Sequence, residues 1–473
     1  LDERNGRRYS GFAFSPLRKW SIITAVFLVQ ISMNFNAAIY AAAVPKMSMD
    51  FDIPHSKARL GQMVFLVMYA FGCELWAPWS EDFGRYWVMQ ISLGLVNIWQ
   101  IPCALATNFW IVFAARALGG LSSAGGSVTL GIVADMWEPN DQQFATLYVV
   151  FSSVAGSVVA PIFGGLMTEY LDWQWVFWIS LILGGFTQAV HAIVVQETRN
   201  SVRMTMAAKM LRKKGGYKVY SADEAKGTFW QRINWKDTSE LMWRPYKFLL
   251  TEPIVTSLSL LSGFSDALVF LGLESFGLVL DQWGFGYKEK GFSFVALLIG
   301  YFLAAIFFIP IYMKDTKTMK SSKEPMPPER RLWGLLWTAP LLPLGLAGFA
   351  GTSYGPPTVP WIAPLLFVLC IGIANTAIYL ATIDYMIAAY GEYSASATGG
   401  NGFCRDLLAG VSALYATPMY TKIRPGTRLQ LVIPTLILFA VAVVGVLPVY
   451  YLYWCGAKVR HKSVFASNLE KDR

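Results

Sequence analysis

The side chains in this sequence most able to do chemistry are charges that stand among apolar neighbours. Arg116, Asp266, Glu274, Arg405 and Asp406, with Glu74 nearer one end, fall within apolar runs of a length that would cross a bilayer. A charge at such depth is costly and normally faces a partner, a water-filled cavity or a transport pathway. Asp266 lies near the middle of its run, and Glu274 two turns further along. Eight residues turn a helix by about 80° net, so both carboxylates are expected to border one cavity. There they would recognise a cation or exchange a proton, with Arg116 as the opposing charge in the other half of the chain. Arg405 and Asp406 point about 100° apart and are expected to compensate each other or their neighbours. Glu74, closer to an end, reads as a snorkelling or structurally paired acid.

Uncharged polar groups follow the same distribution. Gln30, Asn34 and Asn36 lie in the first run, Asn375 in the tenth and Asn401 in the eleventh. Such amides either line a cavity or bridge helices. Tyr379 and Tyr385 offer rings on which a flat or cationic molecule could stack. Asp384 and His191, near run ends, are expected at the interface. No phosphate-binding loop, metal-ligand cluster or nucleophile motif is present, so the sequence reads as no enzyme, with no cofactor and no metal. Cys73, Cys103, Cys370, Cys404 and Cys455 have no C-x-x-C spacing and read as packing residues.

The elements that must position these groups follow from composition. Of 473 residues, 55% are hydrophobic and only 15% charged, where a soluble protein carries about 25% charged residues. Twelve apolar spans are expected, at roughly 21–45, 60–79, 87–107, 109–134, 144–169, 174–195, 249–280, 291–312, 332–351, 362–388, 394–420 and 429–454. The closest-set pairs meet near 107–109 and 388–394. The first span is too long for a signal-peptide core, and a start at Leu1 rather than Met implies missing residues before it. This is an all-α, multi-pass membrane protein.

About 29 of the 39 Lys and Arg fall in the segments that are inside when both termini are cytoplasmic. The net charge of +9 therefore fits basic loops against anionic lipid, with no nucleic acid as a partner. A cytoplasmic segment (1–20) precedes a six-helix half (21–196), a cytoplasmic linker (197–248), a second six-helix half (249–454) and a tail (455–473). Within the linker, "KMLRKKGG" reads as a basic helix lying on lipid. Two such halves form a parallel pseudo-repeat, an arrangement of transporters with a midplane site between the halves.

Three motifs sharpen that reading. The loop "APWSEDFGRYW" sets Glu81, Gly84 and Arg85 between the second and third spans. Arg116 opens "RALGGLSSAGGSVTLGIVADMW" in the fourth span, which closes on Asp135 within expected reach of Arg85. The fifth span holds "GSVVAPIFGG", with Gly156, Pro161, Gly164 and Gly165. Such helix breakers are tolerated in a membrane, where neighbours re-satisfy the freed backbone.

Together these stretches resemble the major facilitator superfamily. The loop resembles its G-x-x-x-D-R-x-G-R-R signature, with Ala77, Glu81, Asp82 and Tyr86 as departures. The family's fourth-span arginine, linked to proton transfer, corresponds to Arg116. "GSVVAPIFGG" resembles the antiporter motif of the drug:proton branch, with Ala160 in place of a glycine, and "ETR" at Glu197–Arg199 resembles the family's P-E-T. "PPERRLW" and "ATIDYMIAAYGEYSASATGGNGFCRDLLAG" are similar to a fungal subgroup of twelve-span transporters for drugs, toxins or polyamines. The resemblance implies the major facilitator fold and alternating access, with proton-coupled efflux of a small organic compound. A polyamine or organic-cation transporter, for export or uptake, is the alternative, and a non-transporting sensor is the alternative class. Small-molecule substrate, protons and membrane lipid are the expected partners. The expected state is a monomer in the plasma membrane or, failing that, the vacuolar membrane.

Overall fold

A computed structural model describes residues 6–138, 141–215, 219–222, 224, 235–321, 326–463 and 465–466. Its secondary structure among these residues is helical, without strands. Nine helical stretches are long and apolar enough to cross a membrane: Pro16–Asp50, His55–Asp82, Gln143–Tyr170, Gln174–Val194, Pro253–Trp283, Tyr287–Ser321, Pro328–Thr352, Ile362–Tyr390 and Val432–Lys462. Three more elements pack among them at the remaining expected positions. They are Arg85–Ala104, the pair Phe109–Leu121 and Gly125–Met136, and the more polar Ser394–Lys422. The expected twelve spans fit this arrangement, and are numbered one to twelve below.

Span four is not the continuous helix expected from its hydropathy. It breaks between Leu121 and Gly125, within "SSAGG". The break leaves backbone groups that need partners in an apolar setting. Trp76 Nε1 donates to Leu121 O at 3.1 Å, and Ala124 N donates to Ser92 Oγ at 2.9 Å. Ser92 Oγ in turn donates to Ser122 O at 2.7 Å. Neighbouring spans thus close the backbone account of span four.

Span five behaves in the opposite way. Gln143–Tyr170 stays helical through Gly156 and Pro161. Its glycines serve close packing: a Cβ on Gly156 would stand 2.8 Å from Ile31 O in span one, and one on Gly164 3.0 Å from Ala42 Cβ. Span ends also differ from the hydropathy estimate. Spans eight and twelve run on to Ser321 and Lys462, because a helix does not stop where its apolar segment does. The linker is helical over Asn200–Gly215 and Trp235–Thr251, the second helix leading into Pro253 at the start of span seven. Gly216, the last residue of "KMLRKKGG", lies outside the described residues.

Candidate functional site

A cavity of about 830 Å³ lies between the first six spans and the last six. It runs from Asn34, Tyr69, Glu74, Tyr379, Arg405 and Asp406 to Glu81, Arg85, Asp135 and Arg331 at the basic end of the bundle. Its lining follows helical periodicity. In span eleven, Thr398, Gly402, Arg405 and Asp406 form one polar face, and in span two Tyr69, Cys73, Ala77 and Glu81 recur every four residues.

The charges in this cavity are unevenly compensated. Arg405 donates to Asp266 Oδ1 at 3.1 Å, and its guanidinium sits 3.5 Å from the centre of the Tyr379 ring. Asp266 is therefore spent on an ion pair, and does not line the cavity. Asp406 and Glu74 do line it, one from each half. No ion pair joins either to a described residue, and Glu74 Oε1 is buried without a hydrogen-bond partner. Glu74 reaches towards span eleven: a Cβ on Gly399 would lie 3.0 Å from both of its carboxylate oxygens. With all groups ionised, two acids remain after the Arg405–Asp266 pair cancels. The expected pairing of Asp266 with Glu274 around one cavity is thus corrected to Glu74 with Asp406.

Glu274 stands elsewhere, towards the opposite end. There it forms a half-buried ion pair with Arg59 of span two and accepts from Thr417 Oγ1 at 3.3 Å. Arg59 and Glu274 belong to different halves, so this pair ties the halves together. Three contacts close the same end. Gly165 of span five meets Gly291 so tightly that an added Cβ would lie 3.0 Å from the Gly291 Cα. Lys288 N donates to Glu169 Oε2 at 3.1 Å. A Cβ on Gly410 would touch Leu66 Cβ and Val67 N at 3.1 Å.

Arg116 does not line the cavity and approaches neither expected carboxylate. Its Nη1 donates to Asn36 Oδ1 at 2.9 Å and Asn36 O at 3.2 Å, and its guanidinium lies 3.8 Å from the Phe65 ring centre. Amide, carbonyl and ring partners replace the counter-ion, all within the first half. Asn375 and Asn401 also hold helices together: Asn375 donates to Ser265 Oγ at 3.0 Å and Asn401 to Ser259 Oγ at 3.5 Å. Tyr385 is buried outside the cavity. Asp384 and His191, expected at the interface, are both buried in the protein. Asp384 is buried against Arg331, at 2.9 Å, and accepts from Gln143 Nε2 at 3.1 Å. His191 is buried beside Gln90, 2.7 Å from its Nε2.

At the basic end, Arg85 Nε donates to Asp135 Oδ2 at 3.0 Å, with Glu81 4.0 Å from Arg85 Nη2. Arg199, from the "ETR" stretch, lies 3.4 Å from Glu81 and 3.6 Å from Asp135. It supplies from beyond span six the second cation that the loop lacks at Asp82 and Tyr86. Glu197 completes the joint by accepting from Arg85 N at 2.9 Å and Tyr86 N at 3.3 Å. Burial pushes the Glu197 carboxyl up, while these backbone bonds pull it back down. Gly84 makes the joint possible: its φ is +97°, and a Cβ there would collide with the Glu197 carboxylate. Gly131 does the same for Arg85, because a Cβ would stand 2.6 Å from the guanidinium carbon.

Glu74, Asp406, Arg59, Arg199 and Glu197 were missed as a site in the sequence. The polar face of span eleven was the available signal for Asp406. The "ETR" stretch was the signal for Glu197 and Arg199, while Arg59 gave none, because its partner Glu274 is distant in sequence.

A bundle of apolar helices in two groups around a charged central cavity is the architecture of a membrane transporter. Residues 26–413 match the Major Facilitator Superfamily, and the chain belongs to that family. It is similar to an uncharacterized transporter of Schizosaccharomyces pombe, 27% identical over 462 residues, covering 96% of this chain and 82% of the relative. It is also similar to the citrinin biosynthesis cluster MFS transporter of Monascus ruber, 26% identical over 459 residues, covering 95% and 89%. The efflux pump radE of Floropilus chiversii is 27% identical over 465 residues, covering 96% and 83%.

Proposed function

We propose that this transporter exports a small organic compound in exchange for protons, with Glu74 and Asp406 as the shared site. The observation that carries this reading is a pair of acids, one from each half, that line a cavity running to the basic end and form no ion pair with a described residue. A proton or an organic cation can occupy such a group, and each excludes the other. That competition makes exchange obligatory if the empty, ionised site cannot cross.

The cavity at the basic end, with the opposite end closed by Arg59–Glu274 and Gly165–Gly291, supports an inward-facing state. The two halves, 21–196 and 249–454, would rock about the cavity, joined by the linker 197–248. Release of the Arg59–Glu274 pair would then open the outer face. The "GSVVAPIFGG" resemblance and a relative named as an efflux pump favour export. The excess of acid favours a cationic or weakly basic substrate, so an organic-cation or polyamine transporter is the second reading. We place a monomer in the plasma membrane, carrying out no catalysis.

The test is transport in reconstituted vesicles with an imposed pH gradient, using the lipophilic cation tetraphenylphosphonium and a panel of small organic compounds. Uptake into the acidic lumen of vesicles by inside-out protein, abolished by collapsing the gradient, is the expected result. A substrate moved equally well with and without the gradient would refute proton coupling.

A further inference from the structure

A second concavity, of about 1300 Å³, lies on the outer flank of the second half, between the start of span seven and the end of span twelve. Its wall on span twelve is graded. Val444, Leu447 and Tyr451 are 67%, 60% and 59% exposed, and the same helix then presents Lys458 and Lys462. Spacings of three to seven residues keep these side chains on one face, and the stripe from Val444 to Lys462 is about 27 Å long. Lys247, from the helix that leads into span seven, adds a third ammonium group.

All three lysines are exposed, and none forms an ion pair with a described residue. Glu252, the acid in the lining, is buried and accepts a hydrogen bond from Tyr390 at 3.0 Å. Beyond span twelve, Phe465 also lines the groove and packs 4.6 Å from the Phe248 ring. The cationic part stands at the end that the positive-inside rule assigns to the cytoplasm.

We infer that this groove binds one anionic phospholipid, with its phosphate held by Lys247, Lys458 and Lys462 and an acyl chain laid along Leu447 and Val444. Charge complementarity selects the occupant. Three ammonium groups with no counter-ion among the described residues, one of them over the Phe465 ring, match an anionic head above an apolar stripe, and each lysine near a membrane surface favours such lipid. Tyr451, between the two zones, suits the depth of the glycerol linkage. The site is separate from the central cavity and does not depend on the transport reading.

Native mass spectrometry of the full chain, titrated with dioleoyl phosphatidylglycerol or dioleoyl phosphatidylcholine, tests this. Wild type should bind the anionic lipid at least about tenfold more tightly, at one copy per chain. Lys247→Gln/Lys458→Gln/Lys462→Gln should lose that preference, and the corresponding triple arginine variant should keep it. Leu447→Trp should weaken phosphatidylglycerol binding with all three lysines present. Neutralising Lys314 and Lys317, exposed but outside the groove, should change nothing. Equal binding of the two lipids, or a preference that survives the triple glutamine change, would overturn the inference. So would competition by glycerol phosphate as effective as that by the intact lipid, because the apolar stripe would then have no part.

Discussion

Two acids of the second half, the buried Asp266 and the half-buried Asp406, stand near the same arginine and are compensated differently. Asp266 takes the hydrogen bond from Arg405, while Asp406, the next residue after that arginine, is left facing the cavity with Glu74. Compensation distinguishes them: a paired charge is structural, and an unpaired charge beside a cavity is available to a proton or a ligand. The two buried arginines repeat the lesson. Arg405 holds a carboxylate, whereas Arg116 is held by Asn36 and two aromatic rings and offers nothing to the cavity.

The largest effect should come from breaking the compensated pair. Arg405→Leu leaves Asp266 buried and unpaired, which costs about 3–5 kcal/mol. We expect poor expression and a collapsed elution profile, and Asp266→Asn added to it should recover part of the yield. If Arg405→Leu folds as well as wild type, the pair is not structural.

Next come the unpaired acids. Glu74→Gln and Asp406→Asn remove no ion pair, so both variants should fold and reach the membrane. At least one should lose transport driven by a pH gradient while keeping exchange of substrate across the membrane. Loss of folding in both would place them with Asp266 instead.

A smaller effect is expected at the closed end. Arg59→Ala or Glu274→Gln breaks a pair between halves without touching the cavity, and should move the population towards the outward-open state. The coupling energy of such a switch is about 1–3 kcal/mol, a shift of five- to 150-fold. The accessibility of a cysteine placed at Leu66, which is buried against Gly410 at the closed end, should rise accordingly. The smallest change belongs to Arg199→Ala, which leaves Arg85 bonded to Asp135. It should alter the rate of gating without abolishing transport, and an unchanged rate would reduce Arg199 to a surface anchor.

Much of the fold was legible because bilayer thickness imposes a minimum apolar length on every span. The central site was legible only in part. Asn34, Tyr379 and Arg405 line the cavity, but helical rotation alone placed Asp266 and Glu274 there wrongly. Rotation tells which face a residue occupies and not whether another side chain already fills that face. Arg405 meets Asp266 across 139 residues, and Arg59 meets Glu274 from another half. No local pattern encodes either meeting. The break in span four was equally hidden, because Trp76 and Ser92, which satisfy its backbone, come from other spans.

The central claim is that proton and cation compete for Glu74 and Asp406, and binding alone can test it. The measurement is tetraphenylphosphonium affinity to the purified protein from about pH 5 to 9, for wild type and for Glu74→Gln/Asp406→Asn. If protons compete, wild-type affinity should rise tenfold per pH unit at most, the limit for one displaced proton. The double variant should bind weakly with a flat profile. The same pH dependence in both proteins would contradict the account.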